Sequence, residues 1–162
     1  MTNPDLVPAE LRELRSRPLF VMNVAVGAIH VTGGPVGAER RVSDLTGGTF
    51  SGDRLSGKIL PGGTDWQTIR EDGTALLDAR VTLATDDGAL IAMSYAGIRH
   101  GPADILARIG RGEDVDPGSY YFRIVPGFTT SAPRYEWLNR IASIGIGHRR
   151  ANGPVYSVFE IL

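Results

Sequence analysis

Apolar and polar residues alternate with a period of two along most of this chain, in short runs cut by glycine and proline. Successive side chains of a strand point to opposite faces, so this pattern predicts strands rather than helices. The first run starts at Pro18: Phe20, Met22, Val24 and Val26 share one face, and Leu19, Val21, Asn23 and Ala25 the other. Both sets are mostly apolar, which predicts a strand covered on both sides. Gly33-Gly34-Pro35 ends it. Residues 40–45 with 49–50 predict a second strand, with Gly47-Gly48 as a bulge or corner. Residues 55–60 and 66–70 predict the third and fourth, and Glu71-Asp72-Gly73 turns the chain back.

Residues 74–85 and 89–96 flank Asp86-Asp87-Gly88, a hairpin signal. A single helix is predicted over 101–109, with Pro102 in its first turn, Asp104 near the positive end of the dipole and Arg111-Gly112 at the exit. Residues 120–125, 134–144 and 155–161 complete about eight or nine strands. Ahead of them, residues 1–17 read as a helical or loose arm in which Leu11 and Leu14 share a face. The fold predicted is all-β with one short helix, an antiparallel meander closing into a barrel, as a single domain over 18–162.

Composition narrows the function classes. The 162 residues suit one domain, and the absence of cysteine excludes disulfides, thiolate metal sites and cysteine nucleophiles. A net charge of −1 with interspersed signs argues against a nucleic-acid footprint, which needs a concentrated basic patch. The apolar runs are too short to cross a bilayer, and residues 1–17 lack the apolar core of a signal peptide, so a cytoplasmic location is expected. The first and last strands are apolar on both faces, more than one barrel wall needs, which predicts a homodimer or higher homo-oligomer.

The densest chemistry lies in Leu60-Pro61-Gly62-Gly63-Thr64-Asp65-Trp66. A Pro-Gly-Gly turn there would set Asp65 and Trp66 at the mouth of a β structure. Period-two sorting places Asp78 with Arg80, Tyr121 with Arg123, and Tyr135 with Trp137 and Asn139. A lumen lined by such groups would hold a small molecule between apolar walls and a few polar anchors. Each has a plainer reading. Asp78 and Arg80 equally suit an exposed pair on a solvated strand, Tyr135 and Trp137 suit ordinary packing, and Asp65 suits a turn cap. His30, His100 and His148 are scattered without metal-ligand spacing, and no nucleophile elbow, P-loop or dinucleotide fingerprint occurs.

Several of these segments together resemble the UPF0311 proteins, also called DUF3237. They are Thr46-Gly47-Gly48-Thr49-Phe50-Ser51-Gly52, residues 55–66, Leu77-Asp78-Ala79-Arg80, Thr85-Asp86-Asp87-Gly88-Ala89, Tyr121-Phe122-Arg123 and residues 132–139. The resemblance runs in order from about Pro18 to Leu162. It implies a calycin-like (lipocalin-like) β-barrel of unassigned function, with Asp65, Trp66, Asp78, Arg80, Tyr135, Trp137 and Asn139 at motif positions. Tyr95 is a further pocket candidate outside those positions.

The function expected is a cofactor-free enzyme that moves protons on a small, partly aromatic or polyketide-like molecule in the lumen, as an isomerase, lyase or cyclase. Asp65, Arg80 and Tyr135 are the expected catalytic groups, with Asp65 as base and the other two steadying an enolate or oxyanion. Trp66, Asp78, Tyr95, Tyr121, Arg123, Trp137 and Asn139 are the expected substrate contacts, and no metal is expected. The alternative is a binding or carrier barrel with the same pocket and no turnover.

Overall fold

The computed structural model describes residues 6–162. Of the predicted N-terminal arm, residues 1–5 lie outside the described residues, and Ala9–Leu11 forms one 3-10 turn. Nine strands follow in chain order: β1 (Ser16–Gly33), β2 (Ala38–Ser51), β3 (Ser56–Ile59), β4 (Gly63–Arg70), β5 (Ala75–Thr85), β6 (Leu90–His100), β7 (Tyr121–Thr129), β8 (Ser143–Arg150) and β9 (Gly153–Ile161). Helix α1 (Ala103–Gly110) links β6 to β7 through a short 3-10 helix, Pro117–Ser119.

The strands form a single antiparallel sheet in the order β1-β9-β8-β7-β6-β5-β3-β2-β4. Two further pairings, β1 with β2 and β5 with β4, carry the ladder back to β1. The long β2 makes this possible. Its first half pairs with β4, from Ala38↔Arg70 to Leu45↔Gly63, and its second half with β3, from Gly48↔Ile59 to Ser51↔Ser56. Against β1, Ala25 faces Gly47 while Val26 faces Leu45, which leaves Thr46 unpaired as a bulge. Gly48 beside it has φ 147°, and a Cβ there would lie 2.0 Å from the Asn23 carbonyl oxygen, so only glycine lets the strands approach.

Alternation decides what the sheet buries. Ala75, Leu77, Ala79, Val81 and Leu83 of β5 are buried, whereas Asp78, Arg80 and Thr82 between them are exposed. One end of the buried face is filled with apolar groups. Phe20 packs on Phe50 and Phe128, with ring centres 5.5 and 6.0 Å apart, in a core that also holds Met22, Ile59, Leu83 and Ile91. On the outer face Val21, Val125, Ile144 and Ile146 stay exposed. No helix among the described residues is long and apolar enough to cross a membrane.

The segment 134–144 is not a strand. Pro133–Arg140 is a 3-10 helix, and β8 begins only at Ser143. The reason is visible in its burial: Tyr135 and Leu138, three residues apart, are its buried pair, a helical spacing that also occurs in the sequence. Asn139 anchors it by accepting from the Thr130 N–H and donating to the Thr130 carbonyl, each at 2.8 Å. The Gly145-Ile146-Gly147 stretch lies within β8. Its glycines are there because a Cβ on Gly147 would sit 2.6 Å from the Phe122 ring, and one on Gly145 2.6 Å from Ile124.

Candidate functional site

Asp65 is the third residue of β4, between Thr64 and Trp66, and the alternation of the strand turns it inward. It is 5% exposed, while Trp66 is 52% exposed on the opposite face. Both carboxylate oxygens accept hydrogen bonds. Gln67, two residues on and therefore on the same face, donates its Nε2 to Oδ2 at 2.7 Å, and the Asp78 backbone N–H donates to Oδ1 at 3.2 Å. Arg41 Nε donates to Gln67 Oε1 at 3.0 Å, which fixes the amide with its NH2 toward Asp65. Burial pushes the Asp65 pKa up. The Gln67 and Asp78 N–H donors and the Arg99 charge pull it back in part, the Asp78 carboxylate adds to the rise, and the net direction is above the ordinary aspartate value. The donors hold the ionised form in place while burial raises its affinity for a proton.

Asp65 lines a cavity of about 120 Å³. Eight of the nine strands reach it: Val26 from β1, Arg41 from β2, Asp65 from β4, Leu77 from β5, Tyr95 and Arg99 from β6, Phe122 from β7, Arg149 from β8 and Tyr156 from β9. Ile109 and Gly110 at the end of α1 complete the wall. The Tyr95 and Tyr156 rings meet edge to face at 5.6 Å, and Tyr156 packs on Phe122 at 5.3 Å. Burial pushes both hydroxyls up, reinforced at Tyr95 by the Asp65 charge and at Tyr156 by Tyr95 and Asp65, so both remain neutral phenols and proton donors. Burial pushes the Arg99 pKa down, with Arg149 and Arg41 adding repulsion. Among the described residues Arg99 Nε and Tyr156 Oη are buried without a partner in hydrogen-bond geometry, the Tyr156 hydroxyl lying near that of Tyr95. Among the described residues no group of three or more His, Asp or Glu is placed to hold a metal ion.

The residues expected at the site divide sharply. Asp65 and Tyr95 line the cavity together. Trp66 does not, because consecutive strand residues face opposite ways. Asp78 and Arg80 are exposed on the outer face of β5, so only the backbone of Asp78 touches Asp65, and Arg80 does not meet it. Arg80 borders an outer groove with Pro61, Gly62 and Gly63, so the Pro-Gly-Gly end is not where Asp65 points. Tyr121 is likewise outward, stacked on His100 at 5.1 Å with the Arg123 guanidinium 4.5 Å from its ring. Tyr135, Trp137 and Asn139 ride on the 3-10 helix beside the β5–β6 turn. Tyr135 donates its hydroxyl to Asp87 at 3.0 Å, and Trp137 lies under the Arg54 guanidinium at 4.1 Å. These three residues support the filled end of the sheet instead of the cavity.

Arg41, Gln67, Arg99, Arg149 and Tyr156 went unforeseen. Two of them follow from alternation alone, since Gln67 is two residues past Asp65 and Arg99 four past Tyr95. Arg41 and Arg149 become neighbours of Arg99 only through the ladders that join β2 and β8 into the same sheet.

Known proteins resemble this chain in sequence and in fold. A UPF0311 protein of Rhodopseudomonas palustris is 36% identical over 149 residues, covering 92% of this chain and 97% of its own length. The crystal structure of a Rhodopseudomonas palustris protein of unknown function matches with a TM-score of 0.89 at 35% identity, covering 93% of this chain and 99% of that one. A β-barrel-like protein of Acinetobacter baumannii matches at 0.81 and 39% identity, covering 93% and 97%. More distantly, the hydroalkoxylation enzyme phnH of Penicillium herquei is 26% identical over 127 residues, covering 78% of this chain and 70% of its own length. The DUF3237 family, described as a protein of unknown function, matches residues 14–161. With nearly the whole folded chain inside that match and relatives aligned over almost their full length, this chain belongs to the DUF3237 (UPF0311) family.

Proposed function

We propose that this chain is an enzyme that needs no cofactor and moves a proton on a small molecule held inside a closed barrel, with Asp65 as the base. The observation that carries the reading is a buried carboxylate whose two oxygens are fixed by N–H donors and whose pKa is raised by its surroundings. A general base works best with a pKa near the operating pH, and burial is one way to bring a carboxylate there. The return of the strand pairings to β1 supports reading the sheet as a closed barrel and the cavity as its lumen.

Hydroalkoxylation, the activity in the Penicillium relative's name, adds an alcohol O–H across a C=C bond. It is redox-neutral and needs one proton removed and one delivered. In this cavity Asp65 would take the hydroxyl proton as the oxygen bonds to the carbon β to a carbonyl. The C=C electron pair moves toward the carbonyl to give an enolate, whose oxygen the Arg99 guanidinium and the neutral phenols of Tyr95 and Tyr156 stabilise. Asp65 then returns its proton to the α carbon. Isomerisation, elimination or cyclisation would draw on the same two proton transfers. A panel of small hydroxylated enones, followed by loss of enone absorbance, tests the reading. Consumption that depends on Asp65 is the expected result, and binding with no turnover across the panel would make the barrel a carrier.

The apolar outer face formed by Val21, Ile144, Ile146 and Val125 supports association of two copies through β1, β9, β8 and β7. Light scattering at micromolar protein is expected to give a dimer, and a monomer removes this part of the proposal.

A further inference from the structure

We infer that the molecule taken up by the cavity is already an anion before any chemistry. It carries a planar two-oxygen group, either a carboxylate or an enolised 1,3-dicarbonyl, anchored by Arg99 and Tyr156. The inference rests on the reading of this cavity as the reaction site and adds the substrate class to it. Three guanidinium groups, Arg41, Arg99 and Arg149, line the space with a single carboxylate, Asp65. Among the described residues none of the three is in an ion pair with an acid. Arg41 is engaged by Gln67, and Arg149 donates to the neighbouring Arg150 carbonyl. Among the described residues Arg99 Nε has no hydrogen-bond partner, and Tyr156 Oη, which also lines the space, meets no partner in hydrogen-bond geometry, with the Tyr95 hydroxyl nearby.

Burying a positive charge is costly unless an opposite charge or a full set of hydrogen bonds offsets it. Here the protein supplies one carboxylate against three cations and leaves one guanidinium N–H and one hydroxyl unspent. A bound anion supplies what is missing. The fork of a guanidinium matches two oxygens in one plane, and a neutral phenol adds a third donor. Stabilising an enolate that forms during reaction would need one such cation, and the second and third favour charge that is present in the ground state. The space limits the rest of the ligand. An apolar cavity of ~150 Å³ takes up benzene, so about 120 Å³ suits a group near the size of one ring.

The test compares benzoate, the enolate of acetylacetone and neutral benzamide by titration of the whole chain, read by calorimetry and by the ring resonances of Tyr95 and Phe122. Benzoate or the enolate is expected to bind at least about tenfold more tightly than benzamide, and which of the two binds identifies the source of the two oxygens. R99M is expected to weaken anion binding by at least about tenfold, and R149M gives a second reading if R99M does not fold. D65N is expected to bind the anion at least as tightly, because it removes the one negative charge on the wall. Equal binding of benzamide, no response to either anion at millimolar concentration, or unchanged affinity in both arginine variants overturns the inference. Turnover lost in D65N without anion preference would leave the proton-transfer reading standing alone. Anion binding with no Asp65-dependent turnover would leave only the binding site.

Discussion

Replacing Asp65 with Asn is expected to lower turnover by roughly 10²–10⁴-fold, the usual contribution of a positioned general base. The two side chains are nearly equal in size, so the cavity keeps its shape. The hydrogen bonding changes, however. Both oxygens of Asp65 accept, from Gln67 Nε2 and from the Asp78 N–H, and Gln67 is held in that orientation by Arg41. An asparagine NH2 must therefore point at a donor, so part of any loss could come from a shifted side chain. Stability gives an independent reading of the raised pKa. The Asp65 pKa is raised in the folded protein, so its protonation favours folding: that stability is fully present below the unfolded value of 3.8 and is lost as pH rises through the folded value. The variant has no such loss. Thermal melts should show variant stability minus wild-type stability growing as pH rises from acid toward neutral. A variant with full turnover ends the role of Asp65 as base.

Phe50→Ala is expected to cost about 3–5 kcal/mol, a fall in Tm on the order of 10 °C for a chain of this size. Phe50 is 2% exposed and packs against Phe20, which also touches Phe128, so its removal opens a void at the filled end of the sheet. Because that end is separate from the arginine-lined cavity, the folded fraction of the variant should retain its turnover. Trp137→Ala should cost less than Phe50→Ala, since Trp137 is only half-buried and one of its faces is covered by a surface arginine. A Phe50 variant as stable as the wild type by denaturant midpoint would contradict the packing described above.

The architecture was legible because a period of two survives in any strand that buries one face. That pattern located β1 and, with the Asp86-Asp87-Gly88 turn signal, the β5–β6 hairpin, while Pro102, Asp104 and Arg111-Gly112 marked α1; the bulge expected at Gly47-Gly48 falls on Thr46 beside them. It failed over 134–144, where apolar residues three apart signal a 3-10 helix and one asparagine supplies the hydrogen bonds that a neighbouring strand would have made. Parity also sorts residues into two sets without saying which set faces inward. Asp78 with Arg80 was sorted correctly as a pair and lies outside, because Leu77, Ala79 and Val81 fill the inner positions of the same strand. Of the residues singled out from the sequence, Asp65 and Tyr95 line the cavity, and the arginines beside them were not singled out. Arg41, Arg99 and Arg149 are 50 or more residues apart and lie on three strands, β2, β6 and β8, that only the ladders of the sheet bring together.

The most direct test of the central claim is a ¹³C-carboxyl NMR titration of Asp65, assigned by the resonance missing in D65N. The account predicts a midpoint above the ordinary aspartate value of 3.8 and a shift of that resonance when a cavity ligand binds. A midpoint at or below 3.8, with a resonance indifferent to ligand, would contradict it.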